Sequence, residues 1–458
     1  MRTDRNDLYV QLRREYPYFV YESFSYALDN NELGVVFEFR LASKYTFRPE
    51  IKLPLPANFN TDILSGSLIR NIIFNMGMVE LLSYWKTACP PKVIVKPMAM
   101  NSAQISWWKK LCLNGLGEFF YENGINPAAD FVEIFPEGNE LIKRESFIGK
   151  EEVLVPLGGG KDSVVTLELL SGVKKCRPFI VNPRPASVKS AHNAGFGDNE
   201  IIKLYRSIDP LLLDLNSKGF LNGHTPFSAM LAFTATLVAA LHGISNIALS
   251  NESSANEPTI PGTNINHQYS KTLEFEDDFR DYMSEYITDG IEYYSFLRPL
   301  NELQIAGIFS RFPGHFASFR SCNAGSKTDS WCGKCPKCLF TYIILAPFIG
   351  RDQLVKIFGS DLFEDESLVP ILDQLCGLAK EKPFDCIGTL EEVNVAIRAY
   401  INKIQNEKLP VLLQHYLQQK AQEMFSHDEM NMLLKAFGNS NIPDDEEVQL
   451  LKDMINVF

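Results

Sequence analysis

Residues 153–163 read Val-Leu-Val-Pro-Leu-Gly-Gly-Gly-Lys-Asp-Ser. A short apolar run, expected to be a buried strand, meets three glycines and then a cation, an acid and a hydroxyl. Glycine admits tight, positive-φ backbone, so successive N–H groups can converge on an anion. Val164, Val165, Leu167, Leu169 and Leu170 follow at helical spacing. They put a helix N-terminus, with its dipole and unpaired donors, behind the glycines. Lys161 adds positive charge, and Asp162 can hold a metal ion that bridges phosphates. The set suits a polyphosphate.

Two familiar phosphate loops are excluded. A Walker A loop needs Lys followed by Ser or Thr, and here Asp162 follows Lys161. The dinucleotide fingerprint Gly-x-Gly-x-x-Gly has Asp162 where its third glycine belongs. The segment instead resembles the Ser-Gly-Gly-x-Asp-Ser loop of the PP-loop ATP pyrophosphatases. Gly159, Gly160, Asp162 and Ser163 match it, and Gly158 replaces the leading Ser. The resemblance implies an α/β core of the adenine nucleotide alpha hydrolase type and cleavage of ATP to AMP and pyrophosphate.

A second cluster is Cys322, Cys332, Cys335 and Cys338, spaced Cys-x9-Cys-x2-Cys-x2-Cys. Four thiolates at such spacing suit tetrahedral zinc, and an iron–sulfur cluster uses the same ligands. Four cysteines close a coordination shell, so a structural metal is expected, with Lys334 and Lys337 offsetting thiolate charge.

Composition bounds the function. The chain has 458 residues, 45% of them hydrophobic, and a formal net charge of −12. An acidic balance argues against nucleic acid as the main partner, because phosphate neutralisation needs clustered Lys and Arg. Arg2, Asp4, Arg5 and Asp7 do not read as a secretory leader. With nine cysteines, this leads us to expect a reducing, cytoplasmic setting. Residues 219–251 carry no Asp, Glu, Lys or Arg, yet no membrane span is expected. Gly223-His224-Thr225-Pro226 reads as a helix start, Ser228–Leu241 as a buried helix and Asn246–Ser250 as a strand.

Three regions are expected. Residues 1–148 read as an α+β domain. It has strands flanking the Asp29-Asn30-Asn31 turn, a helix over 62–86, a strand at Val93-Ile94-Val95 and an aromatic-rich helical stretch over 103–122 whose aromatics are core. Residues 149–338 read as strand–helix–strand, with further apolar runs at 177–182 and 210–215. That alternation implies a parallel sheet with ligands at the carboxyl ends of its strands. Residues 339–458 read as helical, the last helix opening at Pro443-Asp444-Asp445-Glu446-Glu447.

A PP-loop followed by this cysteine cluster is similar to the deazaguanine nitrile synthases, which are much shorter. The chain more closely resembles the UDP-N-acetylmuramoyl-L-alanyl-L-glutamate epimerase family. Four blocks carry that resemblance: residues 157–163; Ser250–Asn256 leading to Asn266–Lys271; Trp331–Cys338; and Lys382–Gly388. It implies adenylation of the terminal glutamate carboxylate by ATP and magnesium, then exchange of the α-proton. In that scheme Gly158, Gly159, Gly160, Lys161, Asp162 and Ser163 bind phosphates. Asn182 lies along the nucleoside, and Asn251, Glu252 and Asn256 hold substrate or metal. His267, Tyr269, Lys271 and Cys386 are the acid and base candidates. The first domain would grip UDP-MurNAc-L-Ala-L-Glu. The alternatives are nitrogen or sulfur transfer to another activated carboxylate or a tRNA base, and a non-enzymatic nucleotide binder.

Overall fold

Apolar residues at every second position of 33–41 require a strand with one buried face. In the computed structural model, which describes residues 3–260, 262–405, 408–420 and 426–458, this is strand β2 (Glu32–Leu41). Its Leu33, Val35, Phe37, Phe39 and Leu41 are all buried. β1 (Tyr18–Asp29) pairs antiparallel with it across Asn30 and Asn31, whose φ values of 48° and 62° suit a tight hairpin. β3 (Tyr45–Phe47) and β4 (Glu50–Pro54) also run antiparallel to β2. β5 (Lys92–Val95) joins β1 in parallel, and β6 (Glu133–Pro136) joins β5 likewise.

The remaining strands are β7 (Lys150–Pro156), β8 (Cys176–Val181), β9 (Ile202–Arg206), β10 (Ile244–Leu249) and β11 (Glu292–Ser295). β10 is parallel to β7, whereas β9 is antiparallel to β4. The fold is therefore α/β with mixed pairing, where a parallel sheet was expected, and with seventeen α-helices among the described residues.

The chain divides into two compact units. The first comprises Met1–Leu154, Ile202–Ile247 and Asn264–Tyr293; the second comprises Val155–Ile201, Ala248–Thr263 and Tyr294–Phe458. In the first unit the helix Ser67–Trp85 is buried over nearly its whole length and packs on β1 and on the helix Phe227–His242. Gly77 is required in its middle, because a Cβ there would lie 1.9 Å from the Tyr21 hydroxyl and 2.9 Å from Phe37. Of the aromatics over 103–122, Trp108, Phe119 and Phe120 are buried, and Trp107 and Trp108 join Phe233 and Tyr282 in one ring cluster. Its polar edges are satisfied, with Trp108 Nε1 donating to Tyr282 Oη (3.2 Å) and Tyr282 Oη to Asn75 Oδ1 (2.7 Å). Arg206 makes a two-pronged pair with buried Glu80, at 2.7 and 2.8 Å.

The uncharged stretch 219–251 forms the helix Phe227–His242, left-handed Gly243 (φ 68°) and β10. No helix among the described residues is long and apolar enough to cross a membrane. The apolar run 210–215, expected as a strand, is the helix Pro210–Ser217 instead. Asp209 caps it by accepting from Leu211 N (2.8 Å), and Pro210 occupies its first position. These start signals outweigh a run of three leucines.

In the second unit the helix Lys161–Ser171 packs on Glu302–Phe309, and Pro336–Leu345 packs on Leu390–Lys403. The final helix, Asp445–Ile455, is capped by Asp444, which accepts from Glu446 N at 2.8 Å.

Candidate functional site

The glycine loop links β7 to the helix Lys161–Ser171. Leu157 N donates to Phe179 O of β8 at 2.8 Å, so the loop opens where those two strands end. Gly159 has φ 84°, and a Cβ on it would lie 2.9 Å from Ser187 N and 3.1 Å from Ala186. A side chain is therefore excluded on both conformational and steric grounds. Gly158 has no atom within 4 Å of an added Cβ, so space lies open in front of it. Gly160 makes no side-chain cap to the helix behind it. A glycine turn, open space and a helix N-terminus without a side-chain cap fit a bound phosphate chain.

Neighbouring segments hold the loop in shape. Arg184 donates to Gly158 O (2.9 Å), Arg320 N donates to Gly159 O (2.7 Å), and Ser163 Oγ donates to Gly160 O (3.1 Å). Asp329 Oδ1 accepts from Ala186 N (3.1 Å). Asn182, just beyond β8, has φ 48°, a left-handed conformation that asparagine tolerates and that marks functional turns.

Lys161 points into the protein, ion-paired with Asp162 and Glu302. Its side chain is 3% exposed and that of Glu302 only 1%. Burial alone would push the Lys161 ammonium down, but the two carboxylates overrule it and hold the group above its ordinary range. Burial pushes the Glu302 carboxyl up, opposed by Lys161 and reinforced by Asp162 and Glu252. Glu302 N donates to Glu392 Oε1 (2.6 Å), and burial raises that carboxyl too. Asn251 donates to Ser295 Oγ (2.9 Å), and Arg298 donates to Glu252 O (2.7 Å), which fixes the loop after β10. Asn256 ends a short turn over Ser253–Asn256. Further along, Lys382 pairs with Glu257 and donates to Gly388 O (3.1 Å), and Lys337 donates to Cys386 O.

The second unit thus links residues 157–163, 250–257, 331–338 and 382–388 through Glu302, Glu392, Lys337 and Lys382. The other half of the second sequence block, His267, Tyr269 and Lys271, belongs to the first unit. There His267 Nδ1 bonds Glu118 Oε2 and its ring lies 4.5 Å from that of His224. Tyr269 is buried, which pushes its hydroxyl up to about 12. Cys386 is half-buried. Glu302, Glu392, Arg184, Arg298 and Glu118 escaped the sequence reading. Glu302 and Glu118 meet partners many residues away, Lys161 and His267, and no short-range pattern marks them; Glu392 does carry a short-range signal, the Thr389-x-x-Glu392 capping box.

The four cysteines converge. Sγ separations are 3.7 Å (Cys322–Cys335), 3.7 Å (Cys332–Cys338) and 3.5 Å (Cys335–Cys338). Tetrahedral zinc with Zn–S bonds near 2.3 Å spaces its sulfurs about 3.8 Å apart, so the donor set fits a metal ion. Cys322 Sγ also accepts from Gly325 N (3.1 Å) and Cys332 N (3.4 Å). Hydrogen bonding from Cys338 pulls the Cys335 thiol down to about 5. Lys334 pairs with Asp365, and Lys337 reaches Cys386 O.

Comparison with known proteins assigns the family. Residues 11–296 match the MurL N-terminal domain model and residues 318–431 the MurL C-terminal domain model. Three curated relatives are each named UDP-N-acetyl-alpha-D-muramoyl-L-alanyl-L-glutamate epimerase. The protein of Micromonospora sp. is 34% identical, covering 88% of this chain and 90% of its own. That of Salinispora tropica is 35% identical, covering 84% and 85%. That of Xanthomonas oryzae pv. oryzae is 32% identical, covering 74% and 77%.

Proposed function

The chain belongs to the MurL family of UDP-N-acetyl-α-D-muramoyl-L-alanyl-L-glutamate epimerases, and from that premise we propose that it inverts the terminal L-glutamate of UDP-MurNAc-L-Ala-L-Glu, using ATP. The glutamate α-proton is hard to remove while its carboxylate is ionised, since a second negative charge would develop beside the first. A carboxylate oxygen attacks the α-phosphorus of ATP, the bond to the β-phosphate breaks, and pyrophosphate leaves. The resulting mixed anhydride with AMP is uncharged at the carbonyl and withdraws electrons from the α-carbon. One group takes the α-proton, another returns a proton to the opposite face, and water releases AMP and the D-epimer.

In this reading Gly158–Ser163 cradle the β- and γ-phosphates, and Lys161 holds Asp162 and Glu302 in place rather than reaching solvent. Asp162, with Asn251, Glu252 and Asn256, would hold magnesium or substrate; magnesium shields phosphate charge. Asn182 would lie along the nucleoside. The groups proposed for the proton exchange are Cys386, which shares a unit with the loop, and His267, Tyr269 and Lys271. The N-terminal region of residues 1–148 would grip the UDP-sugar-peptide. A cavity of about 470 Å³ in the first unit, lined largely by apolar groups of Leu113, Phe120 and Ile125 with Asn114, Tyr121 and Asn126 among them, supports that role. The four-cysteine site would hold structural zinc, and the reaction would run in the cytoplasm.

The observation that carries the reading is the loop itself: a left-handed Gly159 pressed against Ala186–Ser187, open space before Gly158, and a helix N-terminus behind. Isotope exchange between pyrophosphate and ATP tests it. Exchange should require the UDP-MurNAc-dipeptide and magnesium. Epimerisation that proceeds equally well without ATP contradicts it.

A further inference from the structure

Glu118, His224 and His267 come from three separate stretches of the first unit and converge on one point. Glu118 lies on the helix Gly117–Glu122, His224 precedes the helix Phe227–His242, and His267 precedes a short turn over Tyr269–Lys271. The packing that brings them together is specific. Asn123 donates to Asn222 O (3.1 Å), Lys86 reaches Gly223 O, and a Cβ on Gly223 would lie 3.1 Å from Phe119. Gln268 N donates to Asn266 Oδ1 at 2.7 Å, which shapes the turn that carries His267. One carboxylate oxygen, Glu118 Oε2, faces both imidazoles: His267 Nδ1 in direct contact and His224 Nδ1 at 3.5 Å. One donor atom from each of the three residues lies within 4.8 Å of the other two.

We propose that Glu118, His224 and His267 bind a divalent transition-metal ion of the zinc class, separate from the four-cysteine site. A tetrahedral ion with bonds near 2.1 Å spaces its ligands about 3.4 Å apart, so small side-chain rotations suffice. Two imidazoles and a carboxylate are the borderline ligands that zinc and its neighbours favour over magnesium. Three protein ligands leave a fourth position for water or an anionic substrate oxygen, whereas the four cysteines close theirs. Imidazole binds metals in its neutral form. Lys86 and Lys271 are the nearby cations and Glu122 a further anion. In this role His267 is a metal ligand and no longer a proton-exchange group.

The test uses the full-length protein with zinc or cobalt alone. After equilibration with Zn2+ and removal of free metal, the metal content per chain should fall by one ion in His224→Ala and in His267→Ala. Circular dichroism checks that the variants fold. Equal metal content in folded variants and the parent overturns the proposal. Protein whose four-cysteine site is already filled should also develop cobalt d–d bands without thiolate charge transfer. Absence of those bands overturns it without any variant, and it leaves the pyrophosphate exchange test of the epimerase reading untouched.

Discussion

The Lys161 ammonium, next to the glycines of the loop, is buried against the Glu302 carboxylate, with 3% and 1% of the two side chains exposed. Removing one member of such a pair strands the other charge in the interior. We expect Lys161→Met to cost about 3–5 kcal/mol of stability and to abolish pyrophosphate exchange. Lys161→Met with Glu302→Leu should regain most of the stability in thermal denaturation while exchange stays lost. Exchange restored in the double variant contradicts a role for this pair in shaping the loop.

Two neighbouring glycines should respond oppositely. Gly159→Ala places a Cβ 2.9 Å from Ser187 N at a φ of 84°. It should cost about 1–2 kcal/mol for the left-handed backbone alone and raise the KM for ATP at least tenfold. Gly158→Ser enters open space and should change stability by less than about 0.5 kcal/mol. Its hydroxyl restores the leading Ser of the PP-loop pattern, so ATP should bind as well or better. Steady-state kinetics and denaturant unfolding check both.

The four-cysteine site predicts a metal-dependent fold around Pro336–Leu345. Cys332→Ser should lose one metal ion per chain by elemental analysis and unfold at lower temperature. Metal content equal to that of the parent contradicts the assignment.

Lys86 sets a pH dependence. Burial lowers its pKa from 10.5 to about 8. Between those values the unfolded chain holds a proton that the folded chain does not. Folding is therefore penalised at and below pH 8, and the penalty fades as pH rises towards 10.5. The full shift corresponds to about 3 kcal/mol. The stability difference between Lys86→Met and the parent should move in the parent's favour across that window, as followed by urea unfolding. A difference independent of pH contradicts it.

Local signals made much of this legible in the sequence. The β1–β2 hairpin announced itself through Asn30-Asn31 and alternating apolar residues, the helix Phe227–His242 through its uncharged run, and the convergence of the four cysteines through their spacing. The run at 210–215 is ambiguous by itself, because consecutive leucines carry no period; its helix is set by the Asp209-Pro210 start. Antiparallel β4–β9 pairing joins residues about 150 apart, where no local pattern speaks. The same distance hid Glu302 beside Lys161 and Glu118 beside His267, since a lone Glu on an apolar helix looks alike whether it is solvated or buried with a partner.

In the proposed reaction, ATP cleavage at the glycine loop makes the glutamate α-proton removable. The most direct measurement supplies the protein with ATP, magnesium and UDP-MurNAc-L-Ala-L-Glu in deuterated water and reads products by mass spectrometry and NMR. AMP and pyrophosphate should form together with D-glutamate carrying deuterium at its α-carbon. ATP cleavage without label at that carbon, or labelled epimer formed without ATP, would contradict it.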